Sequence, residues 1–367
     1  MTNIAYLVHD TADAAVARRV RMFREGGAAV RVGGFNRHGV PADIAGAPVT
    51  DLGHTQDAAL VARIGSVLRH VVRPAAVRKL IADCDTVVAR NLEMLAVCTR
   101  VVRPGQRLVF ECLDIHRLLL SPGVPGRLLR ALEARLLSRV DLILTSTPSF
   151  RDRYFVERQG FAGPIRVEEN RLLGDGPTRR EGAPRNAPPW RIGWFGMLRC
   201  RRSLDLLRAL VRDHPGLVEV TLAGVPSYTE FDDFDRDVAN TPGLRFLGRY
   251  TAADLPRLYG ETDFAWAIDY FEEGLNSAWL LPNRLYESLA YGAVPIALAE
   301  VETGRWLTRH GVGITLGDPA RDLPPILTAI DAERLAALQA PVEALPRADV
   351  VADTAACRAL TEAVTGA

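Results

Sequence analysis

Asn283, Arg284 and Glu287 stand at the entrance of an otherwise apolar stretch, "LLPNRLYESLAYGAVPIAL" (280–298). Pro282 suits the start of a helix there and Gly292 its end. On that helix Leu285 and Leu289, four apart, make the core face, while Asn283 and Glu287 share a second stripe. A carboxylate beside an amide near a helix N-terminus can accept two hydrogen bonds from a ribose diol, and Arg284 can neutralise phosphate charge or hold the carboxylate. The plainer reading is a surface helix with an Arg284–Glu287 pair, worth about 0.2–0.5 kcal/mol.

A second group lies in "WFGMLRCRRSLDLLRAL" (194–210). Gly196 opens a turn after a strand, and a helix with Leu204, Leu207 and Leu210 on one face begins near Arg202 or Ser203. Free backbone N–H groups and the positive end of the helix suit a phosphate. Arg199, Arg201 and Arg202 add donors that can clamp a diphosphate. One glycine is not a G-x-G-x-x-G fingerprint, so an ordinary basic turn is an equal alternative.

A third group, in "FECLDIHRLLL" (110–120), puts Asp114 and His116 just past a strand end, where a substrate hydroxyl could lie. Asp114 can serve there as a general base, or either residue can orient the hydroxyl. The alternative is a helix-capping Asp and a surface His. Asp10, after the first strand in "YLVHDTAD", is a comparable candidate, with helix capping as its stronger rival role.

These residues must be carried by strands and helices, and the chain alternates the two. Strand patterns fall at 3–8, 29–35, 86–90, 107–113, 141–146 and 165–170, with a first helix over 13–25 ended by Gly26-Gly27. The alternation stops in "GDGPTRREGAPRNAPPW" (174–190), then restarts with strands at 191–196, 217–224, 244–248, 263–268, 293–298 and 312–316. Two doubly wound α/β units follow, whose ligands bind beyond the carboxyl ends of parallel strands.

A length of 367 residues also favours two domains, and 48% hydrophobic with 24% charged residues is ordinary for a globular enzyme. The five cysteines are scattered without a C-x-x-C pair, which reads as reduced thiols in a cytoplasmic protein and not as a zinc site. The start "MTNIAYLVHD" reads as a first strand and not a signal peptide, and no apolar run approaches the roughly 20 residues of a spanning helix.

The formal net charge of +1 hides an asymmetry. Residues 1–171 hold 25 basic and 17 acidic side chains, a net of +8, and the remainder a net of −7. Two stretches, 59–80 and 126–140, combine apolar helical stripes with arginines, as helices lying on anionic membranes do. Every helix that covers a sheet is amphipathic too, which is the competing explanation. No aromatic residues interleave with these arginines, so a nucleic-acid surface is not expected.

Several segments together resemble a known family. These are "G-x-L-R" at Gly196–Arg199, "FLGRY" (246–250), "DLPRLYGETD" (254–263), "PNRLYESLAYGAVPIA" (282–297) and "GVG" (311–313). They are similar to the carboxyl-terminal domain of GT-B-fold glycosyltransferases, in the group of bacterial mannosyltransferases and exopolysaccharide glycosyltransferases. Residues 13–37 and 88–95 extend the likeness more weakly, so it covers most of the chain and is most specific over 244–298. It implies that Glu287 binds the donor ribose, and that Arg199, helped by Arg202, binds the diphosphate. The sequence departs from the family's Glu-x7-Glu pattern: Trp279 stands eight positions before Glu287, and the nearest upstream acids are Glu272 and Glu273. The loop 272–279 is then built differently, with Asn276 the expected sugar or phosphate contact.

The expected fold is α/β, two Rossmann-like doubly wound domains facing a central cleft, the GT-B arrangement. The expected division is 1–173 for an acceptor domain, 174–190 for a linker, 191–345 for a donor domain, and 346–367 for a helix packing back on the first domain. The expected activity is metal-independent transfer of a sugar from a nucleotide diphosphate sugar to a saccharide or lipid-linked acceptor, with arginines and helix N-termini carrying the phosphate charge and no cofactor. The expected place is the cytoplasm, peripheral on the inner face of the cell membrane. A sugar-nucleotide epimerase of the same fold and a non-catalytic sugar-nucleotide-binding protein are the alternatives. The first would turn over donor without acceptor, and the second would bind nucleotide without transfer.

Overall fold

The computed structural model describes residues 2–36, 39, 41–54, 74–174 and 185–367. They divide into two compact units: unit 1 is Met1–Glu169 with the returning tail Ala352–Ala367, and unit 2 is Asn170–Val351.

Unit 1 is built on an eight-stranded sheet. Its strands are β1 (Asn3–Val8), β2 (Ala29–Asn36), β3 (Asp43–Ile44), β4 (Ala47–His54), β5 (Thr86–Arg90), β6 (Arg107–Cys112), β7 (Leu142–Thr145) and β8 (Ile165–Val167). They lie in the order β3-β4-β2-β1-β5-β6-β7-β8, parallel throughout except for the β3–β4 hairpin. Strands β3 and β4 were not legible in the sequence, because Pro48, Asp51 and Gly53 interrupt the β-branched pattern. Helices α1 (Ala14–Glu25), α2 (Ala75–Leu80), α3 (Asn91–Cys98), α4 (Arg117–Leu120) and α5 (Val124–Leu137) connect the strands. Ile4–Val8 of β1 are fully buried, the near-continuous apolar run of a parallel strand covered on both faces.

A polar network sits inside this core. Glu111 on β6 takes Arg19 Nε at 2.6 Å and the Tyr6 hydroxyl, and Arg90 reaches the same carboxylate at 3.6 Å while pairing Asp13 at 2.8 Å. Burial pushes the Glu111 carboxyl up, but Arg19 and Arg90 outweigh it and hold the group below its ordinary range. The network ties α1, β1, β5 and β6 together. Removing one member would leave a buried charge uncompensated, typically about 3–5 kcal/mol.

Unit 2 has a six-stranded sheet of β9 (Trp190–Leu198), β10 (Val218–Pro226), β11 (Leu244–Phe246), β12 (Phe264–Trp266), β13 (Val294–Leu298) and β14 (Ile314–Leu316). Its order, β11-β10-β9-β12-β13-β14, is all parallel and is the doubly wound order 3-2-1-4-5-6. Helices α6 (Arg201–Asp213), α7 (Phe234–Ala239), α8 (Leu255–Gly260), α9 (Asn283–Ala290), α10 (Glu302–His310), α11 (Pro319–Thr328), α12 (Ala332–Ala344) and α13 (Arg347–Val350) belong to this unit. Trp190, Trp194, Trp266 and Trp306 are all within its core, at most 1% exposed. Full burial of a large apolar side chain contributes about 1.5–3 kcal/mol.

The tail is not one helix over 346–367. It is α13, the short strand Val351–Ala352 and then α14 (Thr354–Thr365), because Asp353 turns its carboxylate back onto the backbone N–H of Ala356 at 2.8 Å and starts a new helix. Within unit 1, α14 packs on α1 so closely that a Cβ on Gly26 would meet Thr361 Oγ1 at 2.0 Å and the Cys357 carbonyl oxygen at 2.4 Å. Of the stretch expected to be a linker, 175–184 lies outside the described residues, as does 59–73 of the first basic amphipathic stretch.

Candidate functional site

In unit 2 the strand order reverses between β9 and β12, and the carboxyl ends of these two strands are the natural ligand position. Three glycines shape that end. Gly196 has φ +113°, Gly224 φ +134° and Gly248 φ +76°, all in the region that favours glycine. A Cβ on Gly224 would lie 1.8 Å from the Gly196 carbonyl oxygen, so β9 and β10 can approach there only without side chains. Gly224 and Gly248 were not singled out from the sequence, since each is one isolated glycine in a strand-to-loop pattern.

Beyond β9, Cys200 caps α6, its Sγ accepting from Ser203 N at 3.3 Å and from Tyr270 N at 3.4 Å. The cap therefore joins the start of α6 to the loop after β12. No acidic residue occupies the first turn of α6, which leaves its N-terminus favourable to an anion. The three arginines of this turn separate. Arg201 pairs Asp205 at 3.1 Å and Asp232 at 2.8 Å. Arg199 and Arg202 instead face the loop 269–273. Arg199 lies 3.7 Å from Asp269 and 4.5 Å over the Phe271 ring; Arg202 pairs Glu273 at 2.7 Å and lies 4.1 Å over the Tyr270 ring.

Helix α9 begins after Pro282, with Leu285 and Leu289 buried and Asn283 exposed at its first position. Arg284 Nη2 donates to the Ile268 carbonyl oxygen, just past β12, at 3.1 Å. Its Nε is buried without a hydrogen-bond partner. Glu287 Oε2 accepts from the Tyr259 hydroxyl at 3.0 Å, and Tyr259 stacks on Tyr291 with ring centroids 5.8 Å apart. Tyr250 belongs to the same cluster: a Cβ on Gly196 would come 3.9 Å from its hydroxyl. Burial first, and then the Glu287 carboxylate, push the Tyr250 hydroxyl up, and the same two causes raise Tyr259. Both tyrosines stay protonated donors at neutral pH. Reading the sequence missed Tyr250 and Tyr259, which approach Glu287 from residues 37 and 28 positions away.

Asn276 is buried at the start of a 3-10 turn, Asn276–Ala278, that follows the 269–273 loop; Ser277 Oγ fastens this turn by accepting from Glu272 N at 3.0 Å. Arg199, Arg202, Asn276, Arg284 and Glu287 thus lie on segments that leave β9 or β12 or follow them into α6 and α9. Gly196 does not open a turn as expected but sits within β9, paired with Gly224, because the strand runs on to Leu198. The cluster combines anion donors with a carboxylate acceptor for hydroxyl groups.

In unit 1, Asp114 and His116 are exposed in the loop after β6, at the carboxyl end of the sheet. His116, not Asp114, caps α4, its Nδ1 accepting from Leu118 N at 3.3 Å. Asp10 is buried and accepts from Ala12 N at 2.9 Å, while Asp13 caps α1. A pair with no signal in the sequence pattern lies at the reversal point of this sheet, between β1 and β5. Asn91 Nδ2 meets His9 Nδ1 at 3.0 Å, with Asn91 held at φ +68°, a strained conformation outside glycine.

No protein-family model matches the chain. It is 46% identical over 327 residues to the succinoglycan biosynthesis protein ExoL of Rhizobium meliloti (strain 1021), a match spanning 86% of this chain and 81% of that one. Among solved structures it resembles Anabaena Alr3699/HepE in complex with UDP and glucose, at TM-score 0.70 and 16% identity over the whole of both chains. It also resembles the lipopolysaccharide outer core galactosyltransferase WaaB in its apo form, at TM-score 0.59 and 12% identity over 94% of this chain and 95% of that one. The shared fold is GT-B.

Proposed function

The chain belongs to the family of the succinoglycan biosynthesis protein ExoL, and from that premise we propose that it transfers a sugar from a nucleotide diphosphate sugar to a growing exopolysaccharide. The observation that carries the reading is the gathering of Arg199, Arg202, Arg284 and Glu287 around the carboxyl ends of β9 and β12. Arg199, Arg202 and the N-terminus of α6 would hold the diphosphate and stabilise its charge as it leaves. Glu287 would accept from the ribose hydroxyls, with Tyr259 fixing the carboxylate. Asn283 would stand with Glu287 at the nucleotide edge, and Asn276 would contact the donor's sugar or phosphate. Asp114 and His116 would meet the acceptor hydroxyl, and Asp10, in the loop after β1, would serve the acceptor side as well.

The HepE structure contains UDP and glucose, which makes a uridine diphosphate sugar the first donor to test. The acceptor on this reading is a lipid-linked saccharide, and the protein works peripherally on the inner face of the cell membrane. Arginines and a helix N-terminus supply the phosphate charge, so no metal is required. The decisive experiment incubates the protein with UDP-sugars and lipid-linked saccharide, with and without EDTA. Transfer that survives EDTA is the expected result. Donor conversion without acceptor would favour an epimerase, and nucleotide binding without transfer a non-catalytic binding protein.

A further inference from the structure

Val124, Leu128 and Leu132 are 56, 66 and 48% exposed, three of the four large apolar side chains left outside the core among the described residues of unit 1. All three are on α5, at four-residue spacing. Successive side chains at that spacing drift about 40° round a helix, so they form one slanted stripe. The buried side of α5 is made by Gly126, Glu133 and Leu137. A helix that is amphipathic merely because it covers a sheet would turn such leucines inward. This one turns them out.

The charges on the helix are sorted in the same direction. Residues 117–139 contain five arginines and one acid. Arg117, Arg127 and Arg135 are exposed, whereas the acid, Glu133, is 1% exposed and receives the hydroxyl of Tyr154 and the amide of Gln159. Arg130 is drawn down onto the carbonyl oxygens of Leu119 and Ser121, both at 2.7 Å, and fastens α5 to α4. The outer face of α5 therefore presents an apolar stripe among cations, and its one carboxylate is spent inside.

We infer that α5 is a docking face for an anionic phospholipid bilayer. The apolar stripe enters the boundary between headgroups and acyl chains while Arg117, Arg127 and Arg135 lie among the phosphates. The helix follows the loop that holds Asp114 and His116, with only the short α4 and residues 121–123 between them. Docking through its first turns would bring that loop to the membrane surface. The inference rests on the lipid-linked acceptor for its purpose, but its physical content is independent of the transfer reaction.

The test is co-sedimentation with vesicles of phosphatidylcholine alone or mixed with phosphatidylglycerol, at low and raised salt. Wild type is expected to sediment with the anionic vesicles and to be released by salt. Leu128→Gln/Leu132→Gln is expected to lower the partition coefficient at least tenfold. Arg127→Gln/Arg135→Gln is expected to lower it severalfold and to flatten the salt dependence. Both double variants should keep the wild-type unfolding midpoint and UDP affinity, which separates a failed docking face from a failed donor site. Equal binding to neutral vesicles, no binding at low salt, or variants that bind like wild type would overturn the inference. So would a wild-type dimer that the leucine variant abolishes, because the stripe would then face a second copy.

Discussion

Arg202 holds both oxygens of Glu273, at 2.7 and 2.9 Å, with its guanidinium 4.1 Å above the Tyr270 ring. Arg199 is held more loosely, 3.7 Å from Asp269 and 4.5 Å over the Phe271 ring. Both arginines of the proposed diphosphate site are therefore occupied by carboxylates from one loop. Magnitudes decide which partner wins. An exposed ion pair contributes about 0.2–1 kcal/mol, whereas a charge-assisted hydrogen bond to phosphate contributes about 1.5–3 kcal/mol. On the proposed reading the phosphate would therefore displace the carboxylate. Glu273→Gln removes the competitor, so it is expected to tighten nucleoside diphosphate binding about two- to fivefold, read by calorimetry. Unchanged or weaker binding would place Arg202 away from the phosphates.

On the proposed reading, Arg199→Ala removes a donor to the diphosphate. Nucleoside diphosphate affinity should fall by about 1.5–3 kcal/mol while nucleoside affinity barely moves. Equal losses for both ligands in the same calorimeter would contradict the assignment.

Glu287→Gln replaces charge-assisted acceptors by neutral ones and keeps the shape. Folding should be nearly unchanged, donor affinity should drop, and the variant should lose most of its preference for ribose over a 2′-deoxy donor. A surface residue would instead change stability by a few tenths of a kcal/mol and leave activity alone. Tyr259→Phe, which removes the 3.0 Å bond to Glu287, should give a smaller loss of the same kind. Equal discrimination by wild type and Glu287→Gln would rule out ribose recognition.

Burial pushes the Glu133 carboxyl up to about 7, against 4.5 for an ordinary glutamate, despite hydrogen bonds from Tyr154 and Gln159 that favour its charged form. The folded state therefore binds the proton more tightly than the unfolded chain does. The resulting stabilisation is complete below about pH 4.5 and is lost as pH rises through about 7. A tenfold difference in proton affinity between the folded and unfolded chains is worth about 1.36 kcal/mol, so the full effect is roughly 3 kcal/mol. Glu133→Gln keeps the neutral shape, so its urea midpoint should lack most of the decline that wild type shows between about pH 5 and 8. Parallel profiles for the two proteins would show that Glu133 does not titrate in this range.

The sequence by itself determined the architecture. Short β-branched runs alternating with helical stripes specify parallel, doubly wound units, because burial on both faces of a sheet imposes that pattern. Twelve strands of the two sheets fall where the pattern put them, and β3 and β4 escaped because proline and glycine mask a strand that pairs at an edge. Local signals also put Arg199 and Arg202 between the end of β9 and the first turn of α6, and Glu287 on the helix that follows Pro282, since caps and helix starts are short-range effects. The tertiary structure decided what those residues touch. It separated Arg201 from Arg199 and Arg202, brought Tyr250 and Tyr259 to Glu287, and gave the α4 cap to His116 in place of Asp114. It also turned three apolar residues of α5 outward and its one acid inward. Periodicity defines that a helix has two faces. Which face is buried depends on the neighbours that pack against it, and those come from distant parts of the chain.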